Sequence, residues 1–164
     1  MIKKCLFIAL MLFSCALYAK EAEQDFSQTK IGWDGDPEYE FKLIECKGST
    51  YTSVVYLKFA IKHNLANQYV TITGDNAYDK RGKKYYVNIW GNKSVGGYSY
   101  YSSVDRVLKT DNETTIDLKI EVNGKIDKFD TVKMEFYINK PYYSKANYKL
   151  EFINLPIEWK FLNF

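Results

Sequence analysis

The chain is poor in the residues that do chemistry. Of its 164 residues one is a histidine and three are cysteines. His63 therefore offers the only imidazole on which a Ser/His/Asp or Cys/His arrangement could be built, and no spacing to Cys46, Ser49, Ser53 or Ser94 favours one. One histidine and one thiol also fall short of a tetrahedral zinc set unless carboxylates complete it. No catalytic residue, metal or cofactor is expected, and His63 reads as a surface or strand-end histidine. An excess of one charge is missing too: 23 Lys and Arg face 20 Asp and Glu. Two of those lysines, Lys3 and Lys4, stand in the leader described next, so 21 positive residues remain against 20 negative ones. Charges of both signs are interspersed, and the concentrated basic face that nucleic acid requires is absent.

No apolar run is long enough to hold the chain in a bilayer, which takes roughly 20 residues. The one such run, Leu6 to Phe13, follows Lys3 and Lys4, is succeeded by the small residues Cys15, Ala16 and Ala19, and ends at Lys20, Glu21 and Glu23. This is the pattern of a removable export signal. Two cleavage readings are open. Leu17-Tyr18-Ala19 fits cleavage after Ala19, and Leu12-Phe13-Ser14-Cys15 resembles a lipobox in which Cys15 is acylated and becomes the new N-terminus. The mature protein is then periplasmic or secreted, or else lipid-anchored through Cys15, with membrane contact only in the second case. Both readings leave Cys46 as the sole thiol of the folded part, without a partner for an internal disulfide, and it reads as a small buried strand residue.

What the sequence has is a period of two. Val55, Leu57, Phe59 and Ile61 alternate with Tyr56, Lys58, Ala60 and Lys62. The same alternation runs through Ile116–Val122, Val132–Ile138 and Tyr148–Phe152, and weaker strands read at 39–45, 69–73 and 85–90. Turn signals separate them at 64–67, 80–83, 91–97, 111–112 and 123–124. Seven or more short strands at this spacing predict an all-β, two-sheet antiparallel sandwich. Residues 1–19 form the signal peptide, 20–38 an N-terminal linker and 39–164 the β-sandwich domain. Val55, Leu57, Phe59, Ile61, Ile116, Leu118, Ile120, Val132, Met134, Phe136, Leu150 and Phe152 are its expected core.

The order Val54-Val55-Tyr56-Leu57-Lys58-Phe59-Ala60-Ile61-Lys62, Asn64, Tyr69-Val70-Thr71-Ile72 and the D-x-x-G-x-x-Y hairpin Asp79–Tyr85 resembles the exported bacterial immunoglobulin-like domains of the telokin-like, immunoprotective-extracellular type. Thr115–Val122 and Val132–Ile138 resemble a later strand pair of that group, so the likeness spans about residues 52 to 140. It implies an immunoglobulin-like sandwich in a lipoprotein or secreted protein. It supplies no catalytic residues.

Two stretches could carry binding. Asp34-Gly35-Asp36 and Glu38 could offer oxygens to calcium, but no EF-hand spacing follows, and a solvated loop is the better reading. Aromatic residues make up 17% of the chain, with clusters at Tyr85-Tyr86, Trp90, Tyr98-Tyr100-Tyr101 and Tyr142-Tyr143. For Tyr85 and Trp90 packing is the better reading, because aromatic residues are favoured in strands for packing alone. Tyr98, Tyr100 and Tyr101, beside Gly96-Gly97 in an expected loop, suit contact with a partner. The expectation is a non-enzymatic module that binds an envelope or extracellular protein. The alternative is a small glycan- or peptide-binding protein that uses Trp90, Tyr98, Tyr100 and Tyr101 as a stacking platform. An exposed concave aromatic patch favours the alternative, and a flat apolar one favours the first reading.

Overall fold

A computed structural model of the chain describes residues 23–93, 97–139 and 145–161. The leader, both cleavage sites, Cys15 and Tyr142-Tyr143 lie outside the described residues. Among the described residues there are eleven strands and no helix: β1 (Lys30–Trp33), β2 (Tyr39–Ser49), β3 (Val54–His63), β4 (Gln68–Asp79), β5 (Lys84–Lys93), β6 (Gly97–Tyr101), β7 (Ser103–Leu108), β8 (Thr114–Glu121), β9 (Lys128–Asn139), β10 (Lys145–Pro156) and β11 (Glu158–Lys160).

The ladder order is β1-β10-β9-β4-β5-β8-β3-β2-β11, with β6 on β5 and β7 on β4. β2, β3, β8 and β5 lie side by side in the A-B-E-D order of an immunoglobulin sheet, and β4, β9 and β10 in its C-F-G order. The protein is thus an all-β, immunoglobulin-like sandwich, with β6 and β7 inserted between its fourth and fifth strands. All pairings are antiparallel except β11 on β2.

β5 joins the two sheets. It pairs with β4 through Lys84–Tyr86 and then with β8 through Val87–Ile89, so the sandwich is one sheet curled onto itself. Gly74 makes the corner possible. Its N–H donates to the Ser102 carbonyl at 2.8 Å, the β4–β9 register shifts just after it, and a Cβ at this position would lie 2.0 Å from the Val87 carbonyl oxygen.

The core fills the space between the sheets. All twelve residues assigned inward from alternation are buried, and Phe59 of β3 meets Phe152 of β10 edge-on across the interior at 5.1 Å. At one end Trp33 packs against Tyr39, Phe41, Phe136 and Tyr148, with centroids 4.9 to 5.5 Å away. Residues 30–33 fall in the stretch expected to be a linker. They form a strand because β10 presents a free edge there, and Trp33 then covers the aromatic end of the core. His63 does end a strand, as expected, but it points inward and is 2% exposed, since it continues the inward set 55, 57, 59, 61. Cys46 is fully buried, and burial pushes its thiol pKa up.

The D-x-x-G-x-x-Y hairpin has a structural reading. The Asp79 carboxylate accepts hydrogen bonds from the N–H groups of Arg81 (2.8 Å) and Lys83 (3.0 Å) and from the Tyr85 hydroxyl (2.9 Å). Burial alone would raise the Asp79 pKa. The Lys83 and Arg81 amides, the Tyr85 hydroxyl and the Arg81 charge outweigh it and hold the group below the usual carboxylate range. Gly82, at φ +75°, turns the chain over this carboxylate.

Candidate functional site

Alternation on β5 and β6 decides which aromatic side chains meet solvent. Trp90 pairs with Tyr100, and Asn92 with Tyr98, so the three aromatic residues share the outer face of the sheet. Ile89 pairs with Tyr101, and Ile89 is fully buried, so Tyr101 belongs to the inner face. It packs against the core while its hydroxyl donates to the Gly97 carbonyl at 2.9 Å. Trp90 and Tyr98 are 38% and 71% exposed. Their rings stack at 6.2 Å with an interplanar angle of 25°, and Tyr100 stands edge-on to Trp90 at 5.1 Å. Of the four residues singled out from the sequence, the fold brings Trp90, Tyr98 and Tyr100 together and turns Tyr101 away. Residues 97–101, expected as a loop, are an edge strand.

The neighbouring strands add what the sequence reading missed. Tyr56 of β3 lies 6.3 Å from Tyr100, and Lys119 of β8 sits over the Tyr100 ring at 6.0 Å. Lys58 bridges Glu45 at 3.6 Å and Asp117 at 3.4 Å. Together Glu45, Tyr56, Lys58, Trp90, Tyr100 and Asp117 line a depression of about 410 Å³. Trp90 and Tyr100 make one wall, and the Glu45–Lys58–Asp117 row makes a polar floor beside it. The signal was in the alternation: Tyr56 and Lys58 are the outward partners of Leu57 and Phe59, and Asp117 and Lys119 those of Leu118. Only the order of strands across the sheet, which sequence does not display, sets them beside Trp90.

The site carries both donors and acceptors: the Tyr100 hydroxyl and the Lys58 ammonium stand beside the Glu45 and Asp117 carboxylates. Burial, followed by the nearby Asp117 and Tyr56, pushes the Tyr100 hydroxyl up to about 12, so it carries its proton at physiological pH. Glu45 is held below its ordinary range, because Lys47 and Lys58 outweigh the opposing effect of burial. β5 is tied from behind by the Arg106 guanidinium, which donates to the Trp90 carbonyl. Gly91 lets Val104 of β7 close in, since a Cβ there would come within 2.5 Å of it.

The other candidate from the sequence, 34–38, is occupied by its own turn. Asp34 accepts the Lys149 N–H, Asp36 accepts the Glu38 N–H, and the Asp36 carbonyl accepts the Trp33 indole N–H at 2.8 Å. Among the described residues no three His, Cys, Asp or Glu side chains converge on a point where an ion could sit.

The chain matches no family model and no curated protein. Among solved structures it is similar to the ASH / PapD-like domain of human CEP192 (PapD-like domain 7), over 79% of this chain and 91% of that one, at 7% identity and a TM-score of 0.38. It is also similar to part of the GH20 exo β-N-acetylglucosaminidase from Vibrio harveyi in complex with N-acetylglucosamine, over 75% of this chain and 18% of that one, at 10% identity and a TM-score of 0.36. The immunoglobulin-like fold rests on the strand order described above.

Proposed function

We propose that the protein is an exported, non-enzymatic binding module of the bacterial envelope or exterior, and that its ligand is a short glycan or peptide held in the Trp90–Tyr100 depression. Export and the telokin-like relationship rest on the leader pattern and on the 52–140 resemblance. The observation that carries the binding reading is the concavity itself. Trp90 and an edge-on Tyr100 border a hollow of about 410 Å³ with the Glu45–Lys58–Asp117 row beside them, and Tyr98 stacks on Trp90. A sugar ring has apolar faces and polar edges, and so does a peptide strand. An aromatic wall with a polar floor complements both. The non-enzymatic reading is supported by the burial of His63 and Cys46, which leaves neither able to meet a substrate from solvent.

A protein partner on the same face is the second reading, favoured by Tyr98. It projects beyond the depression at 71% exposure and gives an anchor of the kind that dominates protein interfaces. Both readings use Trp90. Exposing the intact protein to arrays of bacterial and host glycans and of short peptides, and titrating the hits by tryptophan fluorescence, tests them. The fluorescence reports on Trp90, because Trp33 and Trp159 are packed elsewhere against the core, and Trp90→Ala, read on the arrays themselves, should abolish the binding. Hits that bind Trp90→Ala as well as wild type overturn the site. Capture of a protein partner lost in Tyr98→Ala, with no glycan or peptide bound, moves the conclusion to the second reading.

A further inference from the structure

A second, chemically different cleft opens at the end of the sandwich where the β4–β5 turn meets the β8–β9 loop. It has a volume of about 230 Å³, and its lining includes Lys80, Arg81, Lys83, Lys125 and Lys128 against only Asp79 and Asp127. Five cations and two carboxylates concentrate there, in a protein whose charges otherwise nearly cancel. The two carboxylates are largely engaged. Asp79 is bound by the amides of its own turn and by Tyr85, and Asp127 faces Lys80 at 3.8 Å. Arg81, Lys83 and Lys125 form no ion pair within 4.0 Å among the described residues. Nothing lies within 4 Å of where a Cβ on Gly82 would project, so the turn leaves its crest open.

We infer that this cleft is a phosphate-binding site, and that the phosphate it meets is the headgroup of an anionic phospholipid. Several ammonium groups around a guanidinium suit a tetrahedral, multiply charged oxyanion, with the guanidinium supplying planar paired donors and the lysines point charges. The headgroup source follows from where the chain enters. Gln24 donates to the carbonyls of Cys46 and Pro156 at 3.1 Å, Pro156 pairs with Lys128, and the Ile157 N–H donates to the Asp127 carbonyl at 2.9 Å. The N-terminal segment thus arrives at the cationic end. Cys15 stands nine residues before Gln24 in the sequence, so an acyl chain on it would be tethered within at most about 30 Å of Gln24. An anchored protein would present the cleft to the bilayer surface, and an unanchored one would be drawn there by charge.

Vesicle sedimentation of the protein as recovered from cells tests the inference, read as the ratio of affinity for phosphatidylglycerol-containing vesicles to that for phosphatidylcholine alone, so that any acyl anchor cancels. Each cation near an anionic surface contributes about fivefold, so Arg81→Ala/Lys83→Ala/Lys125→Ala should lower the ratio roughly a hundredfold. A control with equal charge loss, Lys62→Ala/Lys109→Ala/Lys149→Ala, should lower it far less. Lys125→Glu alone gives a second variant in which the Asp79 turn is untouched. A parallel titration with inorganic phosphate, followed by the amide signals of Arg81 to Lys83, separates the sources. Saturable phosphate shifts without vesicle binding would keep the phosphate site and assign it a soluble ligand. Equal losses in the two triple variants, or binding of neither vesicles nor phosphate, would overturn it.

Discussion

The rings of Tyr39 and His63 lie 5.1 Å apart at the end of the core, and the phenol oxygen of one and both imidazole nitrogens of the other are buried without a hydrogen-bond partner among the described residues. A buried polar atom left unpaired costs about 1–3 kcal/mol. His63→Phe, which keeps a ring against Tyr39, should therefore stabilise the fold by up to about that amount in urea denaturation. Tyr39→Phe should shift stability in the same direction, whereas His63→Ala, which leaves a cavity, should destabilise. A fall in stability for both Phe variants would mean that those atoms are satisfied in solution.

Alkaline unfolding should have a tyrosine signature. Burial, ahead of neighbouring groups, pushes Tyr39, Tyr85 and Tyr100 from the ordinary 10.0 up to about 12. The folded pKa is the higher one, so this stability is fully present below pH 10 and is lost as pH rises towards about 12. Thermal melts across that window should show a steep decline, and Tyr85→Phe should flatten part of it. A flat profile would contradict the burial of these hydroxyls.

Two glycines should answer very differently to alanine. At Gly74 the new methyl meets the backbone oxygen of Val87 at 2.0 Å, and a backbone strand cannot step aside as a side chain can. Gly74→Ala should cost about 3 kcal/mol or more by forcing the β4–β5 corner apart. Gly82→Ala meets no atom, and its cost is that of a left-handed backbone alone, about 1–2 kcal/mol. Denaturation midpoints of the two variants give the comparison, and equal losses would argue against the corner.

The two faces of β6 should separate stability from binding. Tyr98→Ser removes an exposed ring and should leave the melting temperature nearly unchanged while weakening ligand capture. Tyr101→Ser withdraws an inward ring from the core and should destabilise by about 2 kcal/mol or more. If Tyr101→Ser melts like wild type, the register of β6 on β5 is wrong.

Sequence patterning revealed the central strands because β3, β8, β9 and β10 bury one face each, and the alternation Leu57-Lys58-Phe59 records that directly. It was silent where a strand owes its existence to a neighbour. β1 is four residues long and forms against the edge of β10. β6 begins at Gly97, and the turn character of the Gly-Gly pair in the sequence hid the alternation of Tyr98 and Tyr100 against Tyr101. His63 stands next to Asn64, a turn former, so its place in the inward series went unread. The candidate site was half legible: Trp90, Tyr98 and Tyr100 stood out by type, but Tyr56, Lys58, Glu45 and Asp117 join them only through the β2-β3-β8-β5-β6 order.

The terminal strands exchange sheets. β1 precedes β2 in the chain yet lies on β10, with Lys30 opposite Ile153, while β11 follows β10 yet lies on β2, with Ser49 opposite Lys160. Each of these clasps therefore joins strands more than a hundred residues apart in the sequence. Neither clasp can form until β10 and β11 are available, and contacts of such sequence separation are slow to find. A chain emerging from a ribosome, or threading through a translocation pore, would stay open-edged until β10 and β11 have emerged. Docking of Glu158–Lys160 then covers the edge that β2 would otherwise leave unpaired.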